Sequence, residues 1–185
     1  MLKTVDASKN KFELAGFGVR LGASLLDSLF ITPFTVIGFY FFFYTKDFSL
    51  YAFFTFISFM YKPLMEGFFG FTLGKMVCKI MVVSNEFQQI SFSTAIIRSL
   101  PWLFVALSGL IDVYPLFSLD SFLNAGPEDA VLIQSQSDPK IAVYIFQMLL
   151  ISSGLLILLK PKRGLHDYIA GTCCVKTNKK DKIIF

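Results

Sequence analysis

The chain has 185 residues, of which 55% are hydrophobic, 17% aromatic and only 16% charged, and its mean hydropathy is +0.63. This balance lies far on the apolar side of soluble usage and excludes an ordinary water-soluble domain. The net charge of +4 requires no nucleic-acid partner, because membrane topology and weak attraction to anionic headgroups account for it.

A bilayer core needs about 20 apolar residues per helical crossing, since the backbone must satisfy its own polar groups in lipid. Four windows meet that need, at about residues 21–43, 48–69, 95–113 and 141–159. The second is interrupted late by Lys62, Pro63 and Glu66. The expected fold is an all-α membrane protein: four transmembrane helices in a bundle, with a small cytoplasmic β element, forming a single domain over residues 1–185.

Only "YTKD" separates the first two windows, which forces an antiparallel hairpin. The third and fourth are joined by the polar "DSFLNAGPEDAVLIQSQSDPK". Cations cluster before the first window, in the middle connection and after the last; Lys46 and Lys140 are the only ones in the other two connections. The positive-inside rule then makes this a multi-pass protein of the cell (inner) membrane with both termini cytoplasmic and the lipid bilayer as its first partner. Polar residues precede the first window, which is too long for a signal h-region, so no cleavable signal peptide is expected.

Cys78, Cys173 and Cys174 all fall in segments assigned to the cytoplasm, where thiols stay reduced. With His166 the sole histidine and Cys173 and Cys174 adjacent, no metal site is expected. "GFTLGKM" is not a phosphate loop, because Phe69 and Met76 stand where that motif needs Gly and Ser or Thr. No cofactor and no catalytic residue are assigned, and the chain is not expected to be an enzyme.

The first window carries Arg20 at its mouth and Asp27 inside it. Seven residues apart, they share a helix face but stand about 10.5 Å apart along the axis, too far for an easy direct pair. Arg20 can snorkel to headgroups; Asp27 is too short and too deep. It needs a partner from another helix, a water-filled pocket or a proton, and among partners depth ranks Arg98 first. Lys62, Glu66, His166 and Asp167 fall at the same cytoplasmic level. "RGLHD" allows a proton relay, because histidine titrates near neutrality, or else a cluster that caps a helix end, binds lipid headgroups or pins a loop. The Phe-rich tract "GFYFFFY" is lipid-facing or packing surface. "GKMVCKIMVVSNE" and "GTCCVKTNKK" have the β-branched character of short strands able to pair with each other, and "SKNKFELAGF" either adds a third strand or lies along the interface.

Four segments, "FELAGFGVRLGASLLD", "MEGFFGFTLGKMVCKIMVV", "IIRSLPWLF" and "KPKRGLHDYIAGTCCVK", occur in that order across nearly the whole chain. Together they resemble the RDD family of small integral membrane proteins. The family takes its name from an arginine and an aspartate in the first span and a second aspartate, matched here by Arg20, Asp27 and Asp167. Its usual Gly-x-Thr-Pro-Gly-Lys turn is "GFTLGK" here, with Leu73 in place of proline. Gly74, Lys75, Arg98 and Gly171 are further matched positions.

The resemblance implies a multi-spanning protein with a role in transport of ions or small solutes, some members being similar to proteins linked with cation/proton exchange. On that reading Arg20, Asp27, Asp167, Arg98, Glu66 and His166 form the polar cluster through which the transported species is handled. Four spans are few for alternating access in one protomer, so a homo-oligomer or a partner membrane subunit is also implied. The alternative is a non-catalytic scaffold or assembly protein in which the same cluster is a fixed lock setting helix register.

Overall fold

The computed structural model describes residues 13–137, Tyr144, Met148 and 163–177. In chain order these form α1 (Phe17–Phe43), α2 (Phe48–Phe69), α3 (Leu73–Val77), β1 (Ile80–Ser84), α4 (Phe92–Val113), a 3-10 turn (Tyr114–Ser118), α5 (Asp120–Leu123), α6 (Pro127–Gln136), α7 (Leu165–Ile169) and β2 (Thr172–Lys176). The first three expected windows are the helices α1, α2 and α4. The fourth, at about 141–159, lies outside the described residues apart from Tyr144 and Met148, both helical.

Two of these helical stretches, Phe17–Phe43 and Phe92–Ser118, are long and apolar enough to cross a membrane. Their large side chains are mostly exposed: Leu25 is 62%, Leu29 68% and Ile111 60% accessible. Leaving one such residue in water forfeits about 1.5–3 kcal/mol relative to burying it. Such exposure is intelligible against lipid.

The chain divides into two compact units. The first comprises 1–30, 62–99 and 152–185, and the second 31–61 and 100–151. In the first, β1 and β2 pair antiparallel with Val82 opposite Cys174. The alternation of the strands sends Ile80, Val82 and Cys174 into a cluster with Ala15, Ala23, Ile90 and Ala95. Met81, Val83, Cys173 and Val175 form the opposite cluster, over which Leu14, Phe71 and Phe87 pack. Both faces are thus covered, which explains two strands with four consecutive buried residues each. The segment before α1, expected to add a third strand or to lie along the interface, forms no strand at Glu13 to Ala15 but meets the β2 edge at an isolated bridge: Leu14 pairs with Val175, Lys176 N–H donates to Glu13 O at 2.8 Å, and Ala15 N–H donates to Cys174 O at 2.9 Å.

The second unit is built on aromatic rings. Phe42 and Phe122, 1% and 0% exposed, join Leu116 and Ala130 in a core that Tyr51, Phe117 and Ile133 complete. Phe42, Phe117 and Phe122 meet edge to face with centroids 5.3–5.4 Å apart. The "GFYFFFY" tract therefore divides: Phe42 is core, while Phe39 and Tyr40 are exposed. The segment expected to be merely a polar connection instead folds as α5 and α6, because Phe122 and Ala130 are apolar anchors within it. Periodicity over so few residues was too short to show this.

A buried charge network as candidate functional site

The site lies wholly within the first unit and is assembled from five helices. Arg20 comes from the first turn of α1 and Glu66 from the last turn of α2. Lys75 is carried by α3, Arg98 by α4 and Asp167 by α7. Their side chains form one alternating chain. Arg20 Nη1 meets Asp167 Oδ2 at 2.5 Å, Asp167 Oδ1 meets Arg98 Nη2 at 2.8 Å, and Arg98 Nη1 meets Glu66 Oε2 at 3.2 Å. Lys75 Nζ closes on the remaining Glu66 oxygen, Oε1. Each carboxylate serves two cations, and Asp167 is fully buried.

Local structure fixes these donors. Gly164, in extended conformation, precedes α7, and the Asp167 carboxylate accepts from its N–H at 3.1 Å. That hydrogen bond satisfies an amide left open at the helix start and aims the carboxylate at the arginines. Thr172 Oγ1 donates to Asp167 Oδ1 at 3.5 Å, tying the acid to β2. Gly171 between them has φ +62, a left-handed conformation that glycine adopts without Cβ strain, and so reverses the chain into the strand. Arg20 Nε donates to Ala15 O at 3.1 Å, which turns its guanidinium back toward the sheet. Arg98 Nη2 also approaches Cys174 Sγ at 3.9 Å.

Asp27 has a different partner from the one expected. Its Oδ2 accepts the Thr72 hydroxyl at 2.6 Å and its Oδ1 accepts the Gly74 N–H at 2.8 Å. Arg98, ranked first for Asp27 by depth, makes its ion pairs with Glu66 and Asp167 instead. Depth alone could not reveal that "GFTLGK" folds back onto α1. The turn is possible because Gly70, at φ +75, reverses the chain after α2, and Thr72 caps α3. Gly74 allows the contact itself. A Cβ there would stand 2.1 Å from Ala23 O and 2.8 Å from Asp27 N, so only glycine lets the turn touch the α1 backbone. Asp27 thus acts as an acid brought by another helix to the open amides of α3. Thr72 was the residue missed by sequence reasoning, although Thr immediately before a helical start is a capping signal.

Outside the helical spans the electrostatics follow from this geometry. Burial alone would raise the Asp167 carboxyl, but Arg98 and then Arg20 hold it well below the usual carboxylate range. Burial, with the Arg98 guanidinium nearby, pushes the His166 imidazole down to about 4. It is therefore neutral at pH 7, with Nε2 3.5 Å from Asp167 Oδ1. Burial raises the Cys173 thiol, so it stays protonated. Among the described residues no group of His, Cys, Asp and Glu side chains could hold a metal ion.

Arg20, Asp167, Arg98, Glu66 and Lys75 are therefore brought into one network with His166 at its edge. Asp27 and Gly74 form an adjoining lock, and Gly171 supplies the turn behind Asp167. No curated protein and no solved structure matches the chain. The model of the RDD family matches residues 14–171, a stretch that begins beside the β2 edge and ends at the Gly171 turn. The arginine and two aspartates lie within it in the order read from the sequence, and the chain belongs to the RDD family.

Proposed function

We propose that this is a multi-pass integral membrane protein with four spans, both termini cytoplasmic, whose charge network takes part in moving an ion or small solute. The single observation that supports this reading best is the sharing of carboxylates. Asp167 lies between Arg20 and Arg98, and Glu66 between Arg98 and Lys75. A carboxylate held by two cations can release one while keeping the other, so partners exchange without a bare buried charge. Ionisable groups within membrane helices are costly and mark ion or substrate routes by default. The orientation is supported by charge: fifteen of seventeen Lys and Arg, but seven of thirteen Asp and Glu, belong to the first unit. A homo-oligomer or a partner membrane subunit completes the transport pathway in this reading.

The test is flux in proteoliposomes under an imposed ion gradient. Wild type carries a flux that Glu66→Gln abolishes, while Lys46→Met, in the second unit, leaves it intact. Absence of flux from folded wild type across common cations and anions contradicts the transport reading.

A second reading is favoured by Asp27. Its two oxygens are engaged by Thr72 and Gly74, and a Cβ at Gly74 would collide with the α1 backbone. On that reading the cluster is a structural lock, and the protein is a membrane scaffold or assembly protein. Asp27→Asn then lowers thermal stability in detergent with no flux to lose.

A further inference from the structure

The apolar stretch that begins with α4 ends at Ser118, yet the chain beyond it goes on exposing large apolar side chains. Leu119, 45% exposed, and Leu123, also exposed, stand four residues apart and so on one face of α5, where the Leu123 N–H donates to Leu119 O at 3.0 Å. On α6, Val131 and the 58% exposed Leu132 stand open although Ala130 beside them is fully buried. These short helices sit where α1 and α4 end: Phe117 and Phe122 pack on Phe42, and Tyr114 meets Phe48 with centroids 5.0 Å apart. Three exposed tyrosines mark the same end, Tyr114 after α4 and the stacked pair Tyr40 and Tyr44 at the close of α1. Tyrosine concentrates at the level of lipid headgroups, where its ring meets apolar surroundings and its hydroxyl stays wet. Charge sets the depth and the kind of lipid. Residues 114–137 contain Asp120, Glu128 and Asp129 and no lysine or arginine, while Lys46 turns its ammonium inward over the Phe122 ring. Glu128, three residues before Val131 and four before Leu132, shares their side of α6, so that helix can enter no deeper than the boundary between headgroups and acyl chains.

We propose that α5 and α6 lie in the surface of the bilayer, with Leu119, Leu123, Val131 and Leu132 inserted between the headgroups and acyl chains of zwitterionic phospholipid, and that the three tyrosines hold this end of the second unit at headgroup depth. This rests on the membrane reading and is independent of transport. The apolar side chains drive insertion, while the acids beside them keep the helices shallow and give anionic lipid no advantage.

Tryptophan quenching by spin-labelled phosphatidylcholine tests this in the full chain reconstituted into vesicles. With the sole native tryptophan removed by Trp102→Phe, Leu123→Trp and Leu132→Trp are each quenched about twice as strongly by a label near the glycerol as by one at the acyl-chain end, as an insertion about 5–10 Å deep requires. Leu107→Trp, at an exposed position near the middle of the Phe92–Ser118 stretch, shows the opposite order. Adding phosphatidylglycerol leaves the signals of the two surface reporters unchanged, and stronger quenching there overturns the zwitterionic assignment. Quenching of both by aqueous iodide and by neither lipid, with Leu107→Trp still quenched by lipid, overturns the proposal and leaves the membrane reading standing. Shielding of both from iodide and lipid alike hands the surface to a second copy or another protein and overturns it too. Failure of every labelled lipid to quench Leu107→Trp refutes the membrane reading itself, and the proposal with it. Should the two reporters not fold, a photoactivatable phosphatidylcholine on wild type decides: adducts within residues 119–132 support the site, and adducts confined to α1, α2 and α4 overturn it.

Discussion

The two units bury charge in opposite ways. The first gathers Arg20, Glu66, Arg98 and Asp167 into its interior and pairs them with one another, while Thr72 and Gly74 hold the buried Asp27. The second has an aromatic interior, and its buried cation, Lys46 Nζ, lies 4.3 Å from the centroid of the Phe122 ring with no hydrogen-bond partner. Carboxylates are directional and can be shared, so they fix geometry and permit exchange. A ring face attracts a cation without either property. What the contrast teaches is that, among the described residues, the buried network of shared carboxylates belongs to the unit that also contains the sheet. The aromatic unit owes its order to ring packing, worth about 0.5–1.5 kcal/mol per pair beyond area.

The comparison can be broken by substitution, and the largest effect belongs to Asp167→Ala. It leaves Arg20 and Arg98 facing each other without their shared acid and costs about 3–5 kcal/mol, read as a lowered thermal midpoint in detergent. Phe42→Ala in the aromatic unit costs about 3–4 kcal/mol through cavity formation, and its effect is independent of salt and of pH between 7 and 4. Similar pH sensitivity in both variants would erase the distinction between the units.

Acid sharpens it further. His166 has a folded pKa lowered to about 4, so below pH 6.5 the unfolded chain takes up a proton that the folded chain refuses. Stability contributed by the neutral imidazole is present above that range and is lost as pH falls toward 4, by up to roughly 3 kcal/mol. Asp167 contributes in the same direction at lower pH: its lowered pKa stabilises above the unfolded value near 4, and that contribution fades below it. His166→Gln flattens the dependence between pH 6.5 and 5 and leaves the more acidic loss in place, which thermal scans at each pH measure. Asp27→Asn costs about 1–3 kcal/mol, since one carboxylate oxygen becomes an NH2 that cannot accept from Thr72 or Gly74.

Much of this was legible in the chain. Apolar length revealed the helices α1, α2 and α4, because a long apolar run is a simple pattern to read. The β-branched runs revealed the strand pair, and Arg20, Asp27 and Asp167 stood out as ionisable residues in or beside apolar segments. The pairings did not. Arg20 and Asp167 are 147 residues apart, and nothing local in "GVRLG" or "LHDYI" states that they meet. Asp27 was matched to a cation because sequence displays charges readily and backbone N–H donors poorly. The amides of a five-residue helix become a binding partner only once Gly70 has turned the chain and Gly74 has let it approach. In the second unit, Phe122 was hidden inside a polar stretch whose helices are too short to show a period.

The most direct test of the network as one coupled unit is a double-mutant cycle on Arg20→Met and Asp167→Asn, measured by chemical or thermal unfolding of the detergent-solubilised full chain. The two residues meet at 2.5 Å, and the account predicts a coupling of about 1–3 kcal/mol, the double variant being less damaged than the two single losses together. Additivity within about 0.5 kcal/mol would contradict it.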